Sequence, residues 1–232
     1  MKRAALITIL GAVVALAAPT LARAFGGWAL ITVDDLPERL IVQDTTELTF
    51  IVRAHGRAPM NQLRPTVVLA SGKTASQVAA VRLEGPGRYG VRFIPPAEGD
   101  WSITVKSGYG PSDIVLHPIA AVRRFALASA TVAPDLVDRG RKLFVAKGCV
   151  MCHVHADAGR PTLVAQAPEL SHKRFDSVYL RMYLANPAIK PPTRTDGLMM
   201  PNLGLKDAEI DALVAFVNAE TRGRRQEARD YY

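Results

Sequence analysis

Cys149-Val150-Met151-Cys152-His153 sets two thiols three residues apart, with an imidazole directly after the second. A Cys-x-x-Cys pair also occurs as a redox disulfide, which needs a thioredoxin-like βαβ setting, and as half of a metal knuckle, which needs two further ligands. Cys149 and Cys152 are the only cysteines of the chain, and neither setting surrounds them. The spacing fits covalent attachment instead: two sulfurs add to the two vinyl groups of a porphyrin, and the adjoining imidazole reaches the iron. One covalently attached heme c, with Cys149 and Cys152 as anchors and His153 as an iron ligand, is the expected cofactor.

Working outward, residues 1–24 read as an export signal. Lys2 and Arg3 precede an apolar run from Ala4 to Ala18, and Ala22-Arg23-Ala24 forms a small-x-small cleavage site. The mature chain would begin at Phe25. An uncleaved membrane anchor is the alternative, because Ala4 to Ala22 approaches the roughly 20 residues needed to cross a bilayer, although Pro19 interrupts it. Both readings put the rest of the chain in a periplasmic or other extracytoplasmic space, which argues against nucleic acid as a partner. The remainder is long enough for two modest domains. Its charge is uneven: residues 25–120 carry no net charge, whereas residues 121–232, the half with the cysteines, carry +5. A basic half of an exported protein suits an acidic protein surface or anionic lipid.

Between about residues 28 and 119 the chain has the period of strands. The runs are Ala29–Val33, Glu47–Val52, Thr66–Leu69, Gln77–Leu83, Tyr89–Phe93, Trp101–Val105 and Ile114–Leu116, parted by turns such as Gly85-Pro86-Gly87 and Pro95–Asp100. Seven short runs at this spacing predict an all-β immunoglobulin-like sandwich over residues 25–120. Leu48–Arg53, Pro65, Gly87–Phe93 and Gly99-Asp100-Trp101 resemble the exported β-sandwich modules of the FixH and YtkA-like kind over residues 27–120. Related sandwiches can carry copper, for which His55, Met60 and His117 are the available soft ligands, but these three lack a compact spacing.

A small, apolar linker is expected over residues 121–133, and from Pro134 the period turns helical. Leu136, Gly140, Leu143 and Phe144 share one helical face, and Ile210, Leu213, Val214 and Val217 share another, with acidic residues at the start of the second helix. In order and spacing, residues 134–222 resemble an all-α class I c-type cytochrome domain: Gly140 and Phe144, Cys149 to His153, Pro168-Glu169-Leu170, a middle helix from Phe175 to Ala185, Met200-Pro201, and a last helix from Asp207 to Glu220. Residues 223–232 form a basic tail.

The resemblance implies roles residue by residue. Gly140, which costs a helix interior about 1 kcal/mol, marks the crossing of the first and last helices, with Phe216 packed on it and Phe144 beside it. The Pro168 carbonyl accepts the Nδ1–H of His153, and Met200 supplies the sixth iron ligand, with Met199 as near rival. A thioether favours ferrous iron and closes the site to small ligands. His155 and His172, the alternatives for a second imidazole, read more simply as surface or loop histidines. Arg174 and Tyr179 are candidates for a propionate contact or the heme edge. Lys206 stands where a Ser or Thr cap commonly opens the last helix, so Asp207 is expected to cap it one residue later.

The implied activity is single-electron transfer to or from a membrane redox complex, without substrate chemistry, with the sandwich as docking or tethering module. Lys147 and Lys173, flanking the heme motif and the Pro168 loop, are the expected basic contacts for an acidic partner. Two alternatives belong to other classes. One is a heme enzyme with an open sixth site, against which Met200 argues; the other is a copper-handling or assembly factor with a redox-sensing heme.

Overall fold

A computed structural model describes residues 27–124, 135–159, 167–190 and 199–221. The export segment, residues 125–133 of the expected linker, Pro134 and the basic tail lie outside the described residues.

Eleven strands build the N-terminal half among the described residues: β1 (Ala29–Val33), β2 (Leu40–Ile41), β3 (Thr46–Ala54), β4 (Ala58–Pro59), β5 (Thr66–Ser71), β6 (Thr74–Ala79), β7 (Val81–Arg82), β8 (Arg88–Phe93), β9 (Gly99–Lys106), β10 (Asp113–Val115) and β11 (Ile119–Val122). One sheet runs β1-β3-β8-β7 with β4 on β3; the other runs β2-β11-β9-β5-β6 with β10 on β9. All pairings are antiparallel except β2 with β11. Alternate residues face inward, so Phe50, Val52, Tyr89 and Val91 from one sheet meet Val67, Leu69, Ile103 and Val105 from the other in a closed core. This is the expected immunoglobulin-like sandwich.

Local differences have local causes. The single run expected over Gln77–Leu83 is two strands, because the chain crosses between sheets at Ala80: β6 pairs with β5 and β7 with β8. The strands β2 and β4 are two residues long, too short to show a period. The strand β11 extends to Val122, so the sandwich runs two residues past the expected boundary at 120.

The C-terminal half holds three α-helices among the described residues: α1 (Leu136–Ala146), α2 (Ser177–Ala185) and α3 (Asp207–Asn218). Asp135 caps α1 by accepting from Val137 N–H at 2.9 Å, and Asp176 caps α2 by accepting from Tyr179 N–H at 2.8 Å. The last helix begins at Asp207, as a first helical residue rather than a cap. Lys206 holds the cap position, and the Glu209 carboxylate accepts its backbone N–H at 3.0 Å, half of a capping box without a side-chain acceptor at the cap.

Helices α1 and α3 cross where a Cβ placed on Gly140 would stand 1.9 Å from the Ala212 carbonyl oxygen and 2.6 Å from Phe216 Cβ. Only glycine permits that approach. Phe144 and Phe216 meet edge to face beside it, with centroids 5.6 Å apart.

The two halves pack against each other. Every residue of β1 is buried, although an edge strand of a free sandwich would expose alternate side chains. Its second face lies against the turn after α1. At Gly148, with φ +80°, a Cβ would stand 2.3 Å from the Ile31 carbonyl oxygen and 2.6 Å from Leu30 Cδ1. Arg139 of α1 reaches the Leu36 carbonyl at 2.9 Å and the Glu38 carboxylate at 2.7 Å, and Lys206 pairs with Asp35.

Candidate heme site

The helix α1 ends at Lys147, and Gly148 turns the chain into a short 3₁₀ segment, Cys149–Met151. Cys152 N–H and His153 N–H both donate to the Cys149 carbonyl, at 3.1 and 2.9 Å, which curls both thiols and the imidazole around one turn. The Pro168 loop runs beside the exit of this turn. Ala167 N–H donates to the Cys152 carbonyl at 3.2 Å and Leu170 N–H to the Val154 carbonyl at 2.9 Å. Ser171 then ties the loop further, accepting from Ala156 N–H and donating to Glu169.

These bonds bring the Pro168 carbonyl oxygen to 2.8 Å from His153 Nδ1, where it accepts that nitrogen's proton and leaves Nε2 unprotonated. Burial, opposed by this hydrogen bond, lowers the His153 pKa below the usual histidine value. The imidazole is thus neutral, the form that ligates a metal.

His153, Cys149, Pro168 and Met200 line one cavity of about 380 Å³, closed by Phe144 from α1, Tyr179 and Leu180 from α2, and Leu213 and Val217 from α3. The wall is mostly apolar, with lysines 173 and 190 also lining it. Burial pushes the Cys149 thiol up to about 12 and the Cys152 thiol up to about 11. A mostly apolar cavity that gathers a thiol, a neutral imidazole and a thioether fits a heme: soft and nitrogen donors for iron, carbon walls for a macrocycle, and sulfur for covalent anchorage. No group of three or more His, Cys, Asp or Glu among the described residues is arranged to hold a metal ion.

Residues 137–220 match the cytochrome c family. These residues form a cytochrome c domain, and its cofactor is a covalently bound heme c with iron. No curated protein matches the chain. Among solved structures it is similar to a candidate glycoside hydrolase from Bacteroides vulgatus at 20% identity and TM-score 0.31, over 38% of this chain and 16% of that one. It is also similar to the Lin-41 filamin domain, at 15% identity and TM-score 0.30 over 41% and 91% of the two chains. A CARDB domain from Pyrococcus furiosus follows at 11% identity and TM-score 0.27, over 42% and 90%.

The remaining expected site residues fall in different places. Met200 lines the cavity, whereas Met199 does not and is 36% exposed. Tyr179 lines it too, stacked on Tyr183. Arg174 lies outside the lining and pairs with Glu220 at 3.3 Å, both exposed. His172 is exposed. In the sandwich, His55 packs on Trp28, His117 lies 3.5 Å from Arg141, and the Met60 carbonyl accepts from the Tyr89 hydroxyl at 2.7 Å.

Two expectations are overturned. His155 lies in a loop, as expected, but not on the surface: it is 1% exposed, with its ring 4.2 Å from Phe216 and 5.7 Å from Phe144, and burial lowers its pKa. Lys147 is not a docking residue either. It is 3% exposed, 2.7 Å from Glu209, and donates to the Asp34 carbonyl at 2.5 Å. A third residue carried no sequence signal: Asn218 both donates to and accepts from the backbone of Phe175, at 3.0 and 2.9 Å, and so fixes a ring that lines the cavity.

Proposed function

We propose that the protein is an exported monohaem electron carrier that exchanges single electrons with a membrane redox complex. The observation that carries this reading is the meeting of Cys149, His153 and Met200 in one mostly apolar cavity, with His153 oriented by the Pro168 carbonyl. Bound there, heme iron supplies a one-electron couple.

In this reading Cys149 and Cys152 anchor the macrocycle through thioether bonds, and His153 ligates through Nε2. Met200 fills the sixth position and closes it to small ligands. The carbon walls from Phe144, Leu180, Leu213 and Val217 keep water away, which favours the reduced state and limits reorganisation on electron exchange. Export through residues 1–24 delivers the chain to the compartment of its partner, and TM-length helices are absent among the described residues. Lysines 173 and 190 give the cavity mouth a positive border suited to an acidic docking face. The sandwich contributes no residue to the lining, so it is free to serve as the module that docks on the complex while the cavity mouth stays open to electron exchange.

Met200→Ala tests the carrier reading. The variant is expected to lose the sulfur-to-iron charge-transfer absorption, lower the potential and admit carbon monoxide, whereas Met199→Ala leaves all three near those of the parent. A parent protein that binds carbon monoxide freely would instead make the site that of an open heme enzyme.

A further inference from the structure

The side chain of Leu30, 2% exposed on β1, stands between two glycine turns, each of which adjoins a different part of the heme site. A Cβ placed on Gly148 would lie 2.6 Å from Leu30 Cδ1, and one placed on Gly56 would lie 3.6 Å from Leu30 Cδ2. Gly148 directly precedes Cys149. Gly56, in the turn between β3 and β4, would carry its Cβ 3.4 Å from the ring of Pro201, which directly follows Met200. Both glycines have positive φ, +80° and +72°, so each turn brings bare backbone to the contact.

The consequence is mechanical. Met200 and Pro201 lie in the irregular segment 199–206 that leads into α3, with no helix or strand of their own to hold them. One side of that segment faces the cavity, and the other rests on the sandwich turn that Leu30 supports. The attachment turn rests on the other methyl of the same leucine. Interiors packed at crystal-like density transmit such displacements.

We propose that Leu30 is a positioning residue for the axial methionine. It seats the Gly148–Cys149 turn and, through the Gly56 turn, the Met200–Pro201 segment on one edge of β1, so the sandwich sets how firmly the thioether is held against the iron. The proposal rests on the reading of Met200 as the sixth ligand, and it assigns the sandwich a role in tuning the heme beyond docking.

The test uses the full-length holoprotein with Leu30→Ala, the conservative Leu30→Met, and Ile103→Ala, a fully buried core position on the opposite sheet. The readouts are covalent heme content, the charge-transfer absorption, carbon monoxide binding by the reduced protein, the midpoint potential, and hydrogen exchange of residues 199–205. Leu30→Ala is expected to keep its heme, weaken the absorption, lower the potential, and speed exchange. It should also raise the carbon monoxide-reactive population about tenfold, which corresponds to about 1.4 kcal/mol reaching the ligand segment. Leu30→Met restores parent values, and Ile103→Ala leaves them unchanged despite its own loss of core packing. Should Leu30→Ala accumulate no holoprotein, Leu30→Val gives the same readouts with a smaller deletion. Parent behaviour in Leu30→Ala, or in Leu30→Val where it stands in, or an equal effect from Ile103→Ala, overturns the proposal. Met200→Ala, run in parallel, separates the two ideas. If it opens the site and Leu30→Ala does not, only the positioning role falls; if it keeps the absorption and stays closed, the ligand reading fails and the proposal with it.

Discussion

Lys147 Nζ lies 2.7 Å from Glu209 Oε1 in a contact where the lysine is 3% exposed and the glutamate 7%. The same ammonium donates to the Asp34 carbonyl, and the other oxygen of Glu209 caps Lys206 N–H. One buried pair therefore joins the end of α1, the start of α3 and the chain leaving β1.

Removing one member strands the other charge in a low-dielectric interior. Lys147→Met is expected to destabilise the holoprotein by about 3 to 5 kcal/mol, whereas Lys147→Met with Glu209→Leu recovers most of the loss, because a matched apolar pair strands no charge. Denaturant unfolding of both variants checks this. A double variant as unstable as the single would show that the hydrogen bonds to Asp34 and Lys206, and not the charge balance, hold this junction.

Heme attachment gives a second expectation. The Cys149→Ser/Cys152→Ser variant should show no heme band on a denaturing gel, because both bonds need sulfur. Burial holds both thiols protonated before attachment, so alkylation of the heme-free chain near neutral pH should be slow while folded and fast in denaturant. Equal rates would mean that the thiols are open to solvent.

How much of this was legible in the sequence depended on how local each signal was. The Cys149–His153 spacing is read from five residues, and the Gly140 crossing and the Pro168 acceptor followed from the family resemblance that the order of these short segments carries. The strand period marked most of the sandwich, and it failed where strands shrink to two residues or change sheets at Ala80. Lys147 and His155 failed for a different reason. A lysine after a helix and a histidine in a loop are usually solvated, and nothing in a linear pattern says that β1 will cover one and that Phe144 and Phe216 will enclose the other. Docking of one domain on another has no period, so the double burial of Ala29–Val33 was invisible as well.

The exposed link between the domains should respond to acid. Its hydrogen bond with Lys206 lowers the Asp35 pKa below the usual aspartate value, so the unfolded chain binds this proton at higher pH than the native one does. The stabilisation is complete well above the unfolded-chain aspartate pKa and is lost as pH falls through the lower, native value. Since both side chains are mostly exposed, salt should weaken the effect. Thermal unfolding between pH 5 and 3 should fall more steeply for the parent than for Lys206→Met. Parallel curves would show that the pair contributes nothing to the junction.

Partner docking depends on which cations remain available once Lys147 is buried. Lysines 173 and 190 line the cavity and are exposed, and residues 121–232 carry +5 where residues 25–120 carry no net charge. Steering by such a border is screened over a Debye length of about 8 to 10 Å, so electron transfer to an acidic partner should slow as ionic strength rises. Lys173→Glu with Lys190→Glu should slow it further at low salt and flatten the salt dependence. Lys147→Glu, by contrast, should lower stability. Stopped-flow kinetics over a salt series distinguishes the cases: a rate that rises with salt removes the basic border from the docking scheme, and a rate independent of both salt and concentration identifies a subunit permanently held in its complex, with transfer inside the assembly.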